Sequence, residues 1–272
     1  MPLRTPADIL RTQNSVLAVN VVTLEHAQAF IKASEETSVG IILQISENAV
    51  KYHSGLSGIG KAMLDLAEGA TTKVSVHLDH ATERSLVTEA MELGFNSVMF
   101  DGSKLEIGEN IEQTAHVVQQ AKLLGVWVEA EIGEIGGKDG VHAPGVKTSV
   151  ADAKSFYESC LVDGLAIAVG SSHAMQEKTA TLDTQRIEEI AEVLPIPLVL
   201  HGSSGVSNEQ LLKAVKAGIK KVNISTELNR VFTTSIRKNL NNDQNMVDPR
   251  KYLGPARDEI ANAVSEYLRL IR

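Results

Sequence analysis

Val74-Ser75-Val76-His77-Leu78-Asp79-His80 is the stretch around which the chain is organised. Its apolar residues alternate with Ser75 and His77, the period-two pattern of a β-strand. It closes on two ionisable neighbours, Asp79 and His80. Holding a carboxylate and an imidazole at the end of a buried strand is costly unless they bind or react with something. Two further runs repeat the device: Ala166-Ile167-Ala168-Val169 leads through Gly-Ser-Ser to His173, and Leu198-Val199-Leu200 leads straight into His201. Fold and function must together explain three apolar strands that each deliver a histidine at the C-terminal end.

Working outward, short β-branched runs recur at Val16–Val19, Gly40–Leu43, Val74–Leu78, Ser97–Phe100, Val126–Val128, Leu165–Val169, Pro197–Leu200 and Ile219–Val222. The segments between them carry helical spacing, as in Leu24-Ala27-Ile31, and start signals such as Thr82 with Glu83 or Ser207 with Glu209. Strand and helix alternating eight times predicts a single-domain (β/α)8 barrel over residues 1–272. A doubly wound open sheet is the alternative, but no Gly-x-Gly-x-x-Gly turn follows the first strand. In the barrel reading the strands end on Asn20, Gln44, Asp79 with His80, Asp101, Glu131, His173, His201 and Asn223. Active sites of this fold are built at that end. After Thr226 the pattern predicts a helix, a polar turn at Asn241–Asn245, the stretch Asp248–Pro255 and a final amphipathic helix.

Composition limits the function classes. The formal net charge is -8 with no block of clustered Lys or Arg, which argues against nucleic acid or an anionic membrane as partner. A single cysteine, Cys160, excludes an intrachain disulfide and fits a reducing compartment. The N-terminal residues lack a signal-peptide core, and no apolar run approaches the roughly 18 residues that span a bilayer. The expectation is a cytoplasmic protein acting on a small molecule.

Three histidines on rigid strands can face one point and leave a position open, the donor arrangement of a catalytic Zn2+. Asp101 and Glu131 are candidate oxygen ligands, with room for a second divalent or monovalent cation, and His77 is expected behind the ligands. Asp79 can either exchange a proton with a substrate near the metal or orient a neighbouring imidazole. Gly202, Ser203, Ser204 and Gly205, with Asn223-Ile224-Ser225-Thr226 opening a helix, suit a phosphate dianion.

Taken together, His-x-Asp-His, Glu-Ala-Glu-Ile-Gly with its Gly-Gly loop, Gly-Ser-Ser-His, Leu-His-Gly-Ser-Ser-Gly, Val-Asn-Ile-Ser-Thr and Asp-Pro-Arg-Lys-Tyr-Leu resemble the class II, metal-dependent ketose-bisphosphate aldolases. The pieces match in order over nearly the whole chain. The resemblance implies a zinc barrel that reversibly cleaves a ketose phosphate into dihydroxyacetone phosphate and an aldehyde. By similarity His80, His173 and His201 would hold zinc, with Asp101 and Glu131 near a second metal position. Asp79 would protonate the aldehyde oxygen, and Asn223 would steady the enediolate. Gly202, Ser204, Ser225 and Thr226 would hold the donor phosphate. Asn20 and Ser46 match substrate-contacting positions, and Arg250 could reach a phosphate across a subunit interface of a homodimer or homotetramer.

Three positions depart from the family pattern. The loop Gly136-Gly137-Lys138-Asp139-Gly140 offers only Asp139 where the family carries a proton-moving Glu. Ala174 follows His173 in place of glycine, and Glu177, beside Lys178, stands where a lysine is common. These changes direct attention to a nonstandard sugar phosphate or to a sugar-phosphate binder without turnover. Two other readings have less support. A Schiff-base aldolase needs a lysine low on the inner wall, and Lys220 and Lys221 lie near strand 8, but no basic residue ends a strand; a metal amidohydrolase needs a His-x-His pair on the first strand, which is absent.

Overall fold

A computed structural model describes residues 3–132, 147–173, 175 and 177–272. Eight parallel strands close into a barrel in sequence order, each hydrogen-bonded to the next and β8 to β1. They are β1 (Val16–Asn20), β2 (Ile41–Ser46), β3 (Val74–Ala81), β4 (Ser97–Phe100), β5 (Trp127–Ile132), β6 (Gly164–Ile167), β7 (Leu198–Leu200) and β8 (Ile219–Ile224). The order and existence of all eight agree with the sequence pattern, while several ends differ. β5 runs on through Glu129 and Glu131, because the upper lumen of a barrel accepts inward polar residues that would end a strand elsewhere. β6 stops at Ile167, so His173 stands on the loop beyond it, not at the strand's last position.

Alternation along the strands separates two environments. Leu17, Val19, Leu43, Ile45, Val76, Leu78, Val98, Val128, Leu165, Leu200 and Val222 join one continuous core with the surrounding helices. The other face lines the lumen. Low in the barrel it is apolar: Val16, Ala18 and Ile42 pack with Ile9 of α1 (Pro6–Leu10), while Trp127, Ala166, Ala168 and Val199 form a second cluster. α1 is started by Thr5, whose hydroxyl accepts from Asp8 N–H in a capping box, with Pro6 at the first helical position. Higher up, the same inward face carries Gln44, His77, Asp79, Glu129, Glu131, Lys221 and Asn223, all buried. Burial of so many polar groups on one side of a sheet is tolerable only where they satisfy one another or a ligand.

Outer helices follow the strands: α2 (Leu24–Thr37), α3 (Glu47–Tyr52), α4 (Ser57–Gly69), α5 (Arg84–Leu93), α6 (Ile107–Leu124), α7 (Val150–Cys160), α8 (Thr184–Val193), α9 (Asn208–Ala217), α10 (Thr226–Asn242) and α11 (Arg250–Ile271). Ser207 caps α9 by accepting from Gln210 N–H, as its sequence signal predicts. Thr82 does not cap α5. That helix begins at Arg84, and the Thr82 N–H and hydroxyl turn instead to the Glu47 carboxylate, at 2.6 and 3.0 Å. The Asp248–Pro255 stretch also differs from expectation, since α11 already starts at Arg250 and carries Pro255 within it. Cys160 ends α7 as a buried core residue, and burial pushes its thiol up to about 12. Among the described residues no helix is long and apolar enough to cross a membrane.

Candidate metal centre and cleft

Neighbouring residues of a strand point to opposite faces, so Asp79 and His80 should not both serve one site. The backbone resolves this. His80 has φ 52°, a left-handed conformation, and the pairing of β3 with β4 shifts register between Leu78 and Ala81. The local kink turns His80 toward the lumen that Asp79 already faces. A non-glycine residue held at positive φ costs about 1–3 kcal/mol and persists where the surroundings enforce it.

Three rings then meet at the mouth. The His80 and His201 centroids are 4.4 Å apart, His80 and His173 5.0 Å, and His173 and His201 5.8 Å. With Glu131 these residues each offer one ligand atom, all within 4.8 Å of one another. Three nitrogen donors and a carboxylate oxygen, drawn from β3, β5, the loop after β6 and the residue following β7, form a donor set suited to a zinc-like divalent cation. Asp101 is not in that set. Its Oδ2 accepts from His80 Nδ1 at 2.8 Å, and its Oδ1 accepts from the Ser103 hydroxyl at 2.6 Å. It therefore orients His80, in the manner of a carboxylate behind a metal-bound imidazole.

His201 is held more firmly still. Its Nε2 donates to Glu129 Oε1 at 2.8 Å, and its Nδ1 lies 3.2 Å from Glu131 Oε2. Burial would lower its pKa, but the hydrogen bonds to Glu129 and Glu131 outweigh this and raise it to about 9. Two carboxylates so placed favour positive charge at this spot, whether a proton or a metal. Glu129 in turn receives the Lys221 ammonium at Oε2, 2.7 Å away, with both side chains essentially inaccessible. His77, also fully buried, bonds Ser97 through Nδ1 at 2.6 Å and is pushed down to about 3 by burial, then by Lys221.

From sequence, Lys221 enters only as a lysine near strand 8 and Glu129 only as part of Glu-Ala-Glu-Ile-Gly, neither with a role at the site. Their signal is period two: Glu129 shares a face with Glu131, and Lys221 shares one with Asn223. Lys221 thus stands on the inner wall within β8, two residues before Asn223, and does not end the strand. Its ion pair with Glu129 and its burial place it below the cleft floor.

The cleft above, about 600 Å3, is lined by Asn20, Asp79, His80, Asp101, His173 and Asn223, among others. Asp79 is the hub of its floor. Asn20 Nδ2 donates to Asp79 Oδ2 at 3.1 Å and Asn223 Nδ2 to Oδ1 at 3.3 Å, while Gln44 Nε2 donates to Asn20 Oδ1 at 2.7 Å. Burial would raise the Asp79 pKa, but the combined fields of His80, His201, Lys221 and His77 hold it well below the carboxylate range.

One end of the cleft carries Gly202, Ser203, Ser204, Ser225 and Thr226. Ser204 Oγ accepts from the backbone N–H of Ser225 and Glu227, at 3.4 and 3.2 Å, at the start of α10. Gly202 has φ 67°, and a Cβ there would sit 2.6 Å from the Ser172 carbonyl, so only glycine lets the two loops approach. The opposite end carries Ser46, Glu47, Asn48, Lys51, Thr82, Lys104 and Leu105, of which the sequence points only to Ser46 as a site residue. Ser46 also caps α3 by accepting from Ala49 N–H.

Arg250 lies outside this lining. It is exposed and paired with Asp248 at 2.8 Å, so within one chain it does not meet the cleft. Lys178 donates to the Tyr267 hydroxyl at 3.1 Å, bound to α11. Asp139 and Ala174 lie outside the described residues.

Comparison with known proteins follows the same lines. A family model described as "Fructose-bisphosphate aldolase class-II" matches residues 7–272. The fructose-bisphosphate aldolase of Staphylococcus epidermidis is 39% identical over 254 residues, covering 92% of this chain and 89% of that protein. That of Thermus caldophilus is 35% identical, covering 98% and 97%. Among solved structures, the YdjI aldolase of Escherichia coli K12 superimposes with a TM-score of 0.85 at 27% identity, covering 98% of this chain and 94% of that one.

Proposed function

The chain belongs to the class II fructose-bisphosphate aldolase family, and from that premise we propose that it is a zinc-dependent lyase cleaving a ketose phosphate reversibly into dihydroxyacetone phosphate and an aldehyde. The observation that supports this most directly is the convergence of His80, Glu131, His173 and His201 within 4.8 Å. A cation held there would supply Lewis-acid stabilisation of the negative charge that develops on the donor fragment as the carbon–carbon bond breaks, an effect of several kcal/mol.

The chain's own residues supply the rest. Asp79 is fixed by the two amides of Asn20 and Asn223 beside the donor set, where it can exchange a proton with the aldehyde oxygen. Asn223 is positioned to hydrogen-bond the donor fragment. Gly202, Ser204, Ser225 and Thr226 surround the N-terminus of α10, where backbone N–H groups and the helix dipole favour a phosphate. That grip supplies binding energy remote from the reacting bond. Ser46 lines the far end, where the aldehyde-side portion of a substrate would extend. We further propose that residues 1–272 act as one catalytic unit, assembled as a homodimer or homotetramer in the cytoplasm. In such an assembly Arg250 would reach a phosphate bound by another copy.

The test is a panel of ketose mono- and bisphosphates assayed for release of dihydroxyacetone phosphate, with and without zinc. Zinc-dependent release from at least one member is expected. Binding without release on every member would replace the lyase with a sugar-phosphate binder. Activity that survives chelation and is trapped by borohydride would point to a Schiff base instead.

A further inference from the structure

The ion pair beneath the three histidines is unused by the reaction as described. We propose that Glu129 and Lys221 are positioning residues for the metal centre: Lys221 clamps the Glu129 carboxylate, which holds His201 so that Nδ1 is the atom presented to the cation. The inference rests on the metal reading of the site.

The geometry runs in one line from β8 to the mouth. Lys221 Nζ is 2.7 Å from Glu129 Oε2, and Glu129 Oε1 is 2.8 Å from His201 Nε2. The far side of the same ring puts Nδ1 3.2 Å from Glu131 Oε2, inside the donor set. An ion-paired carboxylate only accepts hydrogen bonds, so the proton of this contact sits on His201 Nε2. A neutral imidazole protonated at Nε2 has its lone pair on Nδ1, and metal binding requires that lone pair. Glu129 thereby fixes the orientation of the ring and keeps Nε2 engaged, so that Nδ1 is the nitrogen facing the donor set.

Lys221 is needed because a buried carboxylate without a counter-charge is strongly unfavourable. His77 Nε2 is 3.9 Å from the same Oε2, too far to replace the ammonium. All three members of the line are at most 1% exposed, so water does not substitute for any of them.

The experiment measures zinc affinity, by competition with a chromogenic chelator, in the wild-type protein, Glu129→Gln, Lys221→Met and the double variant. Zinc binding about 10–100-fold weaker is expected in each single variant. The double variant should be no weaker than the worse single one, because both act through one chain of contacts. At saturating zinc the KM for the ketose phosphate should be unchanged. A fall in melting temperature of the metal-free variants with zinc affinity within about twofold of wild type would reduce the pair to a structural role and overturn the inference.

The wild-type protein provides a second readout that does not depend on variants folding. Loaded with cadmium-113 and labelled with nitrogen-15 histidine, it should show metal coupling to His201 Nδ1. Coupling to Nε2 would overturn the proposal while leaving the metal site standing. Failure of the wild-type protein to bind zinc would overturn the metal reading and this inference together.

Discussion

At the scale of single residues, chemistry at the cleft floor is set by how few acceptors serve how many donors. The Asp79 carboxylate answers two amides, Asn20 and Asn223, with a different oxygen for each. Asp79→Asn keeps the shape but replaces one acceptor with an NH2 group, setting donor against donor and removing the proton carrier. Turnover should fall about 10²–10⁴-fold, while zinc content, read by elemental analysis, stays at the wild-type level. His26 makes a separate prediction about stability. It is 2% exposed, sits against Phe30 and Phe232, and burial lowers its pKa from 6.5 to about 4. The unfolded chain therefore binds this proton first. Stability from the neutral ring is fully present above pH 6.5 and is lost as pH falls toward 4, by about 3 kcal/mol in all. Urea unfolding of His26→Gln across that range should show a shallower pH dependence than wild type, by up to about 1.4 kcal/mol per pH unit.

At the scale of elements, the site depends on places where a strand or loop departs from regularity. The β3 kink at His80 lets two adjacent residues face one lumen. The turn at Gly202 brings the β7 loop against the Ser172 backbone, leaving no room for a side chain. Gly202→Ala should destabilise the protein by about 1–3 kcal/mol through positive φ alone. The backbone clash displaces the start of the loop that carries Ser204. Inorganic phosphate should then bind more weakly to the variant by calorimetry, with zinc binding retained. Equal phosphate affinity in the two proteins would remove this loop from the anion site. The periodic strand cores were legible in the sequence because period-two apolar runs have one burial solution. The kink was not, since no glycine, asparagine or turn pair stands in Leu78-Asp79-His80-Ala81, and the modest tolerance of histidine for positive φ does not single out His80.

At the scale of the whole molecule, a closed barrel restrains the donor set before any ligand arrives, because His80 and Glu131 hang from strands bonded on both sides and His201 directly follows β7, while His173 stands on the loop after β6. A ligand that binds only this folded arrangement stabilises it by mass action. Zinc at about 100 times its dissociation constant should add about 2.7 kcal/mol to unfolding stability, and exhaustive chelation should remove both that increment and lyase activity. An unchanged melting curve with and without zinc would contradict the assignment of His80, His173 and His201 as ligands. By itself the sequence determined the alternation of strand and helix, hence the barrel, and the residue types gathered at its mouth, because hydrophobic periodicity is local and the fold has one catalytic end. Only the tertiary structure brought the Asp101 carboxylate to His80 Nδ1 at 2.8 Å. It alone also showed Glu129 and Lys221 as an ion pair under His201, and Arg250 as outside its own chain's cleft. Those outcomes turn on which side chains from distant strands meet at hydrogen-bond distance, and no spacing along one strand encodes the register of another.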